Sequence, residues 1–178
     1  MSQQYPPMPG GYGYQQPLGT TDPNNLSLPL YGATFGQAVS RYFKKYAVFT
    51  GRASRSEYWW VQLFLFLVSL LPLLLMGLAA GSMVGTEVTD YVDYGSEVAV
   101  AVTTNASPLF IFATALGLVM ALAFVIPSLA LAWRRLHDAN LPGPFWFLSW
   151  IPGVGSVILL VMTLLPSNPA GIRFDRGA

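Results

Sequence analysis

Three long stretches of this chain carry no charged side chain: Tyr58–Thr86, Val98–Trp133 and Ala139–Ile172. Each exceeds the roughly 18 apolar residues that mark a membrane-span candidate. Soluble helices of that length show a polar face, and these runs do not. Only 10% of the residues are charged and 53% are hydrophobic, whereas soluble domains carry about 25% charged residues. The sequence therefore predicts an all-α integral membrane helical bundle. About three transmembrane helices are expected, over 58–80, 108–133 and 144–165.

The same composition removes several function classes. The chain has no cysteine and one histidine. Disulfides, thiolate metal sites and cysteine nucleophiles are excluded, and a multi-histidine zinc centre is too. No metal and no cofactor is expected. A net charge of +1 supplies no bulk field to attract nucleic acid. The N-terminus lacks the basic start and apolar core of a cleavable signal peptide, so the first span is expected to act as the insertion signal.

Residues 1–33 are rich in Pro, Gly, Gln and Tyr. Such a segment buries too little apolar surface to offset the entropy of ordering, so it reads as a disordered tail. Residues 34–49 change character. Phe35, Val39, Tyr42, Phe43 and Tyr46 fall at helical spacing, with Arg41, Lys44 and Lys45 largely off that stripe. The pattern suits an amphipathic helix at the membrane interface, its lysines toward anionic headgroups; docking on the protein's own spans fits equally well. The membrane domain thus covers 34–174, with a short tail at 175–178.

Ser54 followed by Glu57 has capping-box spacing and places a helix start there. Tyr58, Trp59 and Trp60 form an interfacial aromatic belt, and Pro72 is a candidate kink. Gly81 to Ser107 is a long polar connection whose charges, Glu87, Asp90, Asp93 and Glu97, are all acidic. Ser107 and Pro108 make an N-cap and N1 pair for the next span. In the third run, Ile151-Pro152-Gly153-Val154-Gly155 interrupts the apolar sequence. A kinked span is the preferred reading, and an interfacial segment with a re-entrant helix is the alternative.

Basic residues set the orientation. Arg41, Lys44, Lys45, Arg52 and Arg55 precede the first span, no Lys or Arg lies between Arg55 and Arg134, and Arg134 and Arg135 follow the second. The N-terminal region and the Arg-Arg turn are then cytoplasmic. This brings Arg52, Arg55 and Glu57 to the same membrane face as Arg134, Arg135, His137 and Asp138. The residue types fit a structural ion-pair cluster or a site for an anion such as a lipid headgroup phosphate. Catalysis by His137 comes third, because no nucleophile is marked out beside it. No ionisable residue interrupts the expected spans, which disfavours an ion or proton relay.

Phe49-x-Gly51-Arg52-Ala53-Ser54-Arg55-Ser56-Glu57-Tyr58-Trp59-Trp60, followed by Pro127, Leu129, Ala130 and Arg135-Leu136-His137-Asp138, resembles the bacterial membrane-protein family called "domain of unknown function 805". The resemblance covers about Phe35 to Phe174. Two motifs depart from it: Pro142-Gly143-Pro144-Phe145-Trp146 stands where members usually read Ser-Gly-Trp-Trp, and Gly171-Ile172-Arg173-Phe174-Asp175 replaces a common Asn-x-[Tyr/Phe]-Gly ending. The resemblance implies a small multi-pass protein of the bacterial inner membrane and implies no reaction. The leading expectation is a non-enzymatic component that binds membrane lipids or a protein partner at its cytoplasmic face, with a homo-oligomer one form of that partner. The alternative is a subunit of a small oligomeric transporter or channel.

Overall fold

A computed structural model describes residues 19–82, 87–94, 97–103 and 107–175. The architecture is helical, as the sequence predicts, with one two-stranded exception. In chain order the main elements are α1 (Phe35–Lys44), α2 (Arg55–Ser82), β1 (Glu87–Tyr94), β2 (Glu97–Thr103), α3 (Pro108–Asp138) and α4 (Gly155–Leu164). Short 3-10 helices cover Gly143–Trp150 and Pro169–Phe174.

Two helices, Arg55–Ala80 and Pro108–Asp138, are long and apolar enough to cross a membrane. Only 6% of the apolar window of each is buried within the chain. The core helix of a soluble protein would be mostly covered, so these faces are built for lipid. The start of α2 is the expected capping box: Glu57 N–H donates to Ser54 Oγ at 3.2 Å, and Ser54 N–H donates to Glu57 Oε2 at 2.9 Å. At the start of α3, Ser107 Oγ accepts from Phe110 N–H at 3.2 Å, with Pro108 at the first helical position.

Burial along α3 changes sharply at Pro127. Ile111, Phe112, Leu118, Val119, Leu122 and Val125 are exposed. Ala130, Leu131, Ala132 and Arg134 to Asp138 are buried. With 31 residues, α3 is about 46 Å long at 1.5 Å per residue, against a hydrocarbon core of about 30 Å. Its last turns are wrapped by other parts of the chain. Tyr42 Oη lies 2.9 Å from Ser128 Oγ, and Tyr46 O–H donates to the Ala123 carbonyl at 2.5 Å, so α1 lies against α3 near the change in burial. Phe43 packs edge-on against Phe64 of α2.

Four expectations require correction. First, the face of α1 that docks carries Ala38, Arg41 and Tyr42, with Lys45 buried just beyond, while Phe35, Phe43 and Tyr46 stay partly exposed. The buried face therefore contains cations, because carboxylate and carbonyl oxygens await Arg41. Second, the tail read as disordered over 1–33 divides. Residues 1–18 lie outside the described residues. Residues 19–33 form a strap in which Thr20 N–H donates to the Pro29 carbonyl at 2.9 Å and Leu30 is buried. Hydrogen bonds to distant side chains, together with burial of Leu30 and Ala33 in the core, order it. Third, the Gly81–Ser107 connection contains an antiparallel strand pair, from Glu87↔Thr103 to Tyr94↔Glu97, with a one-residue register shift between Val88 and Asp90. Its alternating Val98, Val100 and Val102 favour a strand. The class is all-α apart from this strand pair.

Fourth, the 144–165 stretch is not one spanning helix. The 3-10 helix Gly143–Trp150 and the ten-residue α4 are separated at Pro152 and Gly153, whose φ is 83°. Ten residues of helix rise about 15 Å, half a hydrocarbon core. Gly143 seats directly on the Trp133 indole of α3, and at the other end the Leu165 carbonyl accepts from Arg135. Both ends of the third apolar run thus sit at the same end of α3. The return is sealed by Asn168 N–H on the Asp138 carbonyl and Gly51 N–H on the Phe174 carbonyl, each 2.8 Å. Single cysteines placed at exposed Ala47 and Ala170, in a chain without natural cysteine, should label with an impermeant maleimide from the same side of the membrane. Labelling from opposite sides would mean that the third run crosses.

Candidate functional site

The charged residues gather where α2 begins and α3 ends. Glu57, fixed by its own capping box, turns its other oxygen outward. Oε1 accepts from Arg41 Nε at 2.5 Å, and Oε2 also accepts from Leu30 N–H at 3.2 Å. Arg41 completes its donors on the strap: NH1 donates to the Pro23 and Asn25 carbonyls at 3.1 and 2.8 Å, and NH2 to Leu28 at 2.6 Å. One guanidinium therefore joins α1, α2 and the strap.

Asp138, at the last turn of α3, is the second centre. Oδ2 accepts from Arg135 NH1 at 2.6 Å and from Ser167 O–H at 2.5 Å; Oδ1 accepts from Tyr31 O–H at 3.0 Å. Burial pushes the Tyr31 phenol up to about 12, so it stays protonated and remains a donor. Arg135 extends to the carbonyls of Thr163, at 2.9 Å, and of Leu165, which fastens the end of α4. Arg52 lies 3.9 Å from Asp138 and forms a bidentate pair with Asp175, at 3.0 Å from Nε and 2.8 Å from NH2. Buried ion pairs of this kind hold only when their remaining hydrogen-bonding capacity is met.

His137 takes no part in a carboxylate pair. Its Nδ1 is 3.1 Å from the Gly51 carbonyl, which can only accept, so Nδ1 carries the proton. The ring stacks on Phe174 with centroids 4.0 Å apart and planes 3° from parallel. The histidine braces the Gly51 turn against the C-terminal return. Among the described residues, no three His, Cys, Asp or Glu side chains converge as a metal site would require.

Of the sequence-predicted residues, the fold brings together Arg52, Arg135 and Asp138 in one group, with His137 beside them and Glu57 in a neighbouring group. Arg55 is exposed at the edge of the cluster, where its charge acts on Arg135 and it forms no ion pair among the described residues. Arg134 is buried, its Nε on the Ala130 carbonyl of its own helix at 3.2 Å, and its NH2 makes no hydrogen bond among the described residues. Sequence reasoning missed Arg41, Lys45, Tyr31, Ser167 and Asp175 as members. For Arg41 and Lys45 a signal existed: Ala38, Arg41, Tyr42 and Lys45 share one helical face.

Charge does not balance here. Among the described residues, the buried cations are Arg41, Lys45, Arg52, Arg134 and Arg135, while the carboxylates are Glu57, Asp138 and Asp175. Ion pairs account for Arg41, Arg52 and Arg135, leaving Lys45 and Arg134 without a carboxylate. Burial, and next the nearby Arg134 charge, lower Lys45 to about 8; Glu57 and Asp175 oppose this and Arg41 adds to it. The unfolded chain keeps that proton up to the ordinary lysine range. Lys45 therefore costs stability fully below about pH 8, and the cost fades as pH rises toward 10.5.

A family model described as Protein of unknown function (DUF805) matches residues 46–176. No curated protein and no solved structure shows significant similarity to the chain. The match takes in Arg52, Glu57, Arg135, His137 and Asp138, and begins just after α1, so Arg41, Lys45 and the strap lie before it.

Glu57→Gln should lower stability by roughly 3 kcal/mol, because it leaves the buried Arg41 charge unpaired. Arg55→Gln, at the exposed neighbouring position, should change it by less than about 0.5 kcal/mol. Thermal unfolding of both variants in the same detergent reads the difference, and equal effects would remove Glu57 from the ion-pair core.

Proposed function

This chain belongs to the DUF805 family, and on that premise we propose that it is a non-enzymatic, multi-pass component of the bacterial inner membrane that binds anionic lipid headgroups at its cytoplasmic face. The N-terminal strap, α1 and the C-terminal return lie on that face; α2 and α3 cross the bilayer, and the broken third run enters and leaves from the cytoplasmic side. The basic residues support this orientation, since Arg41, Lys44, Lys45, Arg52, Arg55, Arg134 and Arg135 all flank the same ends of the two long helices. The re-entrant reading also removes the conflict that a third crossing creates, by keeping Arg173 on the basic side.

The observation that carries the headgroup reading is the surplus of buried positive charge beside exposed aromatic residues. Lys45 and Arg134 have no carboxylate among the described residues, while Phe35, Phe43, Tyr46, Trp59 and Trp60 expose ring surface nearby in the chain. Aromatic residues favour the headgroup level of a bilayer, and cations there attract anionic lipid. The buried ion pairs already occupy most of the side chains that catalysis would need: His137 is bonded to Gly51 and stacked on Phe174, and Glu57 and Asp138 are saturated with donors.

The full chain, released from mixed nanodiscs into native mass spectrometry, should retain phosphatidylglycerol in preference to phosphatidylcholine. Retention of the two lipids in proportion to their abundance would contradict the headgroup reading.

A further inference from the structure

A cavity of about 250 Å³ lies between the end of α1 and the Thr50–Gly51 turn. The strap closes one wall with Ser27; Lys44, Lys45, Thr50 and Gly51 form much of the rest. Lys45 is only 4% exposed, yet it is in no ion pair or hydrogen bond of its ammonium group among the described residues. Arg134 is outside the lining, but its charge acts on Lys45, and its buried NH2 makes no hydrogen bond among the described residues. A buried unpaired charge is costly, and folds supply a counter-charge or let the group neutralise. Glu57, Arg41 and Asp175 also act on Lys45, but the bound geometry of Glu57 and Asp175 is spent on Arg41 and Arg52. An anion in the cavity would supply that counter-charge.

We propose that this cavity binds a phosphate oxyanion, with Lys45 as its direct charge partner, Lys44 at its wall and the Arg134 charge behind. Two ammonium groups in the lining, each with several N–H donors, suit a group with several acceptor oxygens and at least one negative charge. Exposed Lys44 forms part of the cavity wall, so a lipid phosphate can approach from the bilayer surface and a free phosphate from water. The proposal deepens the headgroup reading and rests on it.

The test uses the wild-type full chain in phosphatidylcholine nanodiscs, with amine acylation at Lys45 and Lys44 followed by mass spectrometry at constant ionic strength. Inorganic phosphate at about ten times its Kd should slow acylation of Lys45 about tenfold, by mass action, whereas chloride at the same ionic strength should not. Protection by inorganic phosphate identifies a site open to free anion; protection only when phosphatidylglycerol is present identifies the lipid as its source. Either result supports the site. Equal reactivity of Lys45 in all conditions, chloride included, overturns it. Lys45→Gln gives a second reading that does not depend on acylation. Anion should raise the melting temperature of the wild type and not of the variant, and equal rises overturn the proposal. Retained phosphatidylglycerol with an unprotected Lys45 would defeat this site and leave the headgroup reading standing. Protection by inorganic phosphate without preferential lipid retention would do the reverse.

Discussion

The buried carboxylate of Asp138 is the constraint around which the rest of this structure is arranged. A carboxylate removed from water is tolerable only if cations and donors surround it. Here each partner comes from a different part of the chain: Arg135 from its own helix, Tyr31 from the strap, Ser167 from the C-terminal return, and Arg52 from the turn before α2. Satisfying one side chain therefore positions four segments. Arg41 and Glu57 repeat the same logic a short distance away, with the roles of cation and anion exchanged: there the guanidinium gathers the segments.

This arrangement separates the molecule into two physical regimes along α2 and α3. Toward the strand pair, the helices keep most of their apolar side chains exposed, and lipid contact rather than internal packing accounts for their sequence. Past Pro127 of α3, and at the beginning of α2, the same helices are enclosed by α1, the strap and the C-terminal return. The charged cluster lies wholly in the enclosed part. The third apolar run belongs to it as well, since Gly143 and Leu165 both meet α3 beside the cluster.

Several of these features were readable from sequence because they depend on local rules. The Ser54–Glu57 capping box follows from spacing alone, and the meeting of Arg52 with Asp138 follows from the side of the membrane that positive charges choose. The partners of Glu57 were not readable in that way. Arg41 looked like one more cation off the apolar stripe, because a helical stripe shows which face is apolar, not where a distant carboxylate will sit. Residues 19–33 looked disordered because their order comes largely from distant partners, the Arg41 donors and the Glu57 and Asp138 carboxylates, which also seat Leu30 and Ala33 in the core; composition does not register such contacts. The third run looked long enough to cross; Pro152 and Gly153 mark a break in it, but only the contact of Arg135 with the Thr163 and Leu165 carbonyls shows that the chain turns back. In each case the missing information was a long-range polar partner.

Hydrogen exchange of the wild type and Asp138→Asn in nanodiscs addresses the organising role of Asp138 most directly. If one carboxylate holds these segments together, the substitution should speed exchange together at Gly51, at Asn168 and Gly171, and at Leu30 in the strap, while the Leu118–Ile126 part of α3 keeps its protection. Wild-type protection of the strap and of the C-terminal return in Asp138→Asn would contradict the account.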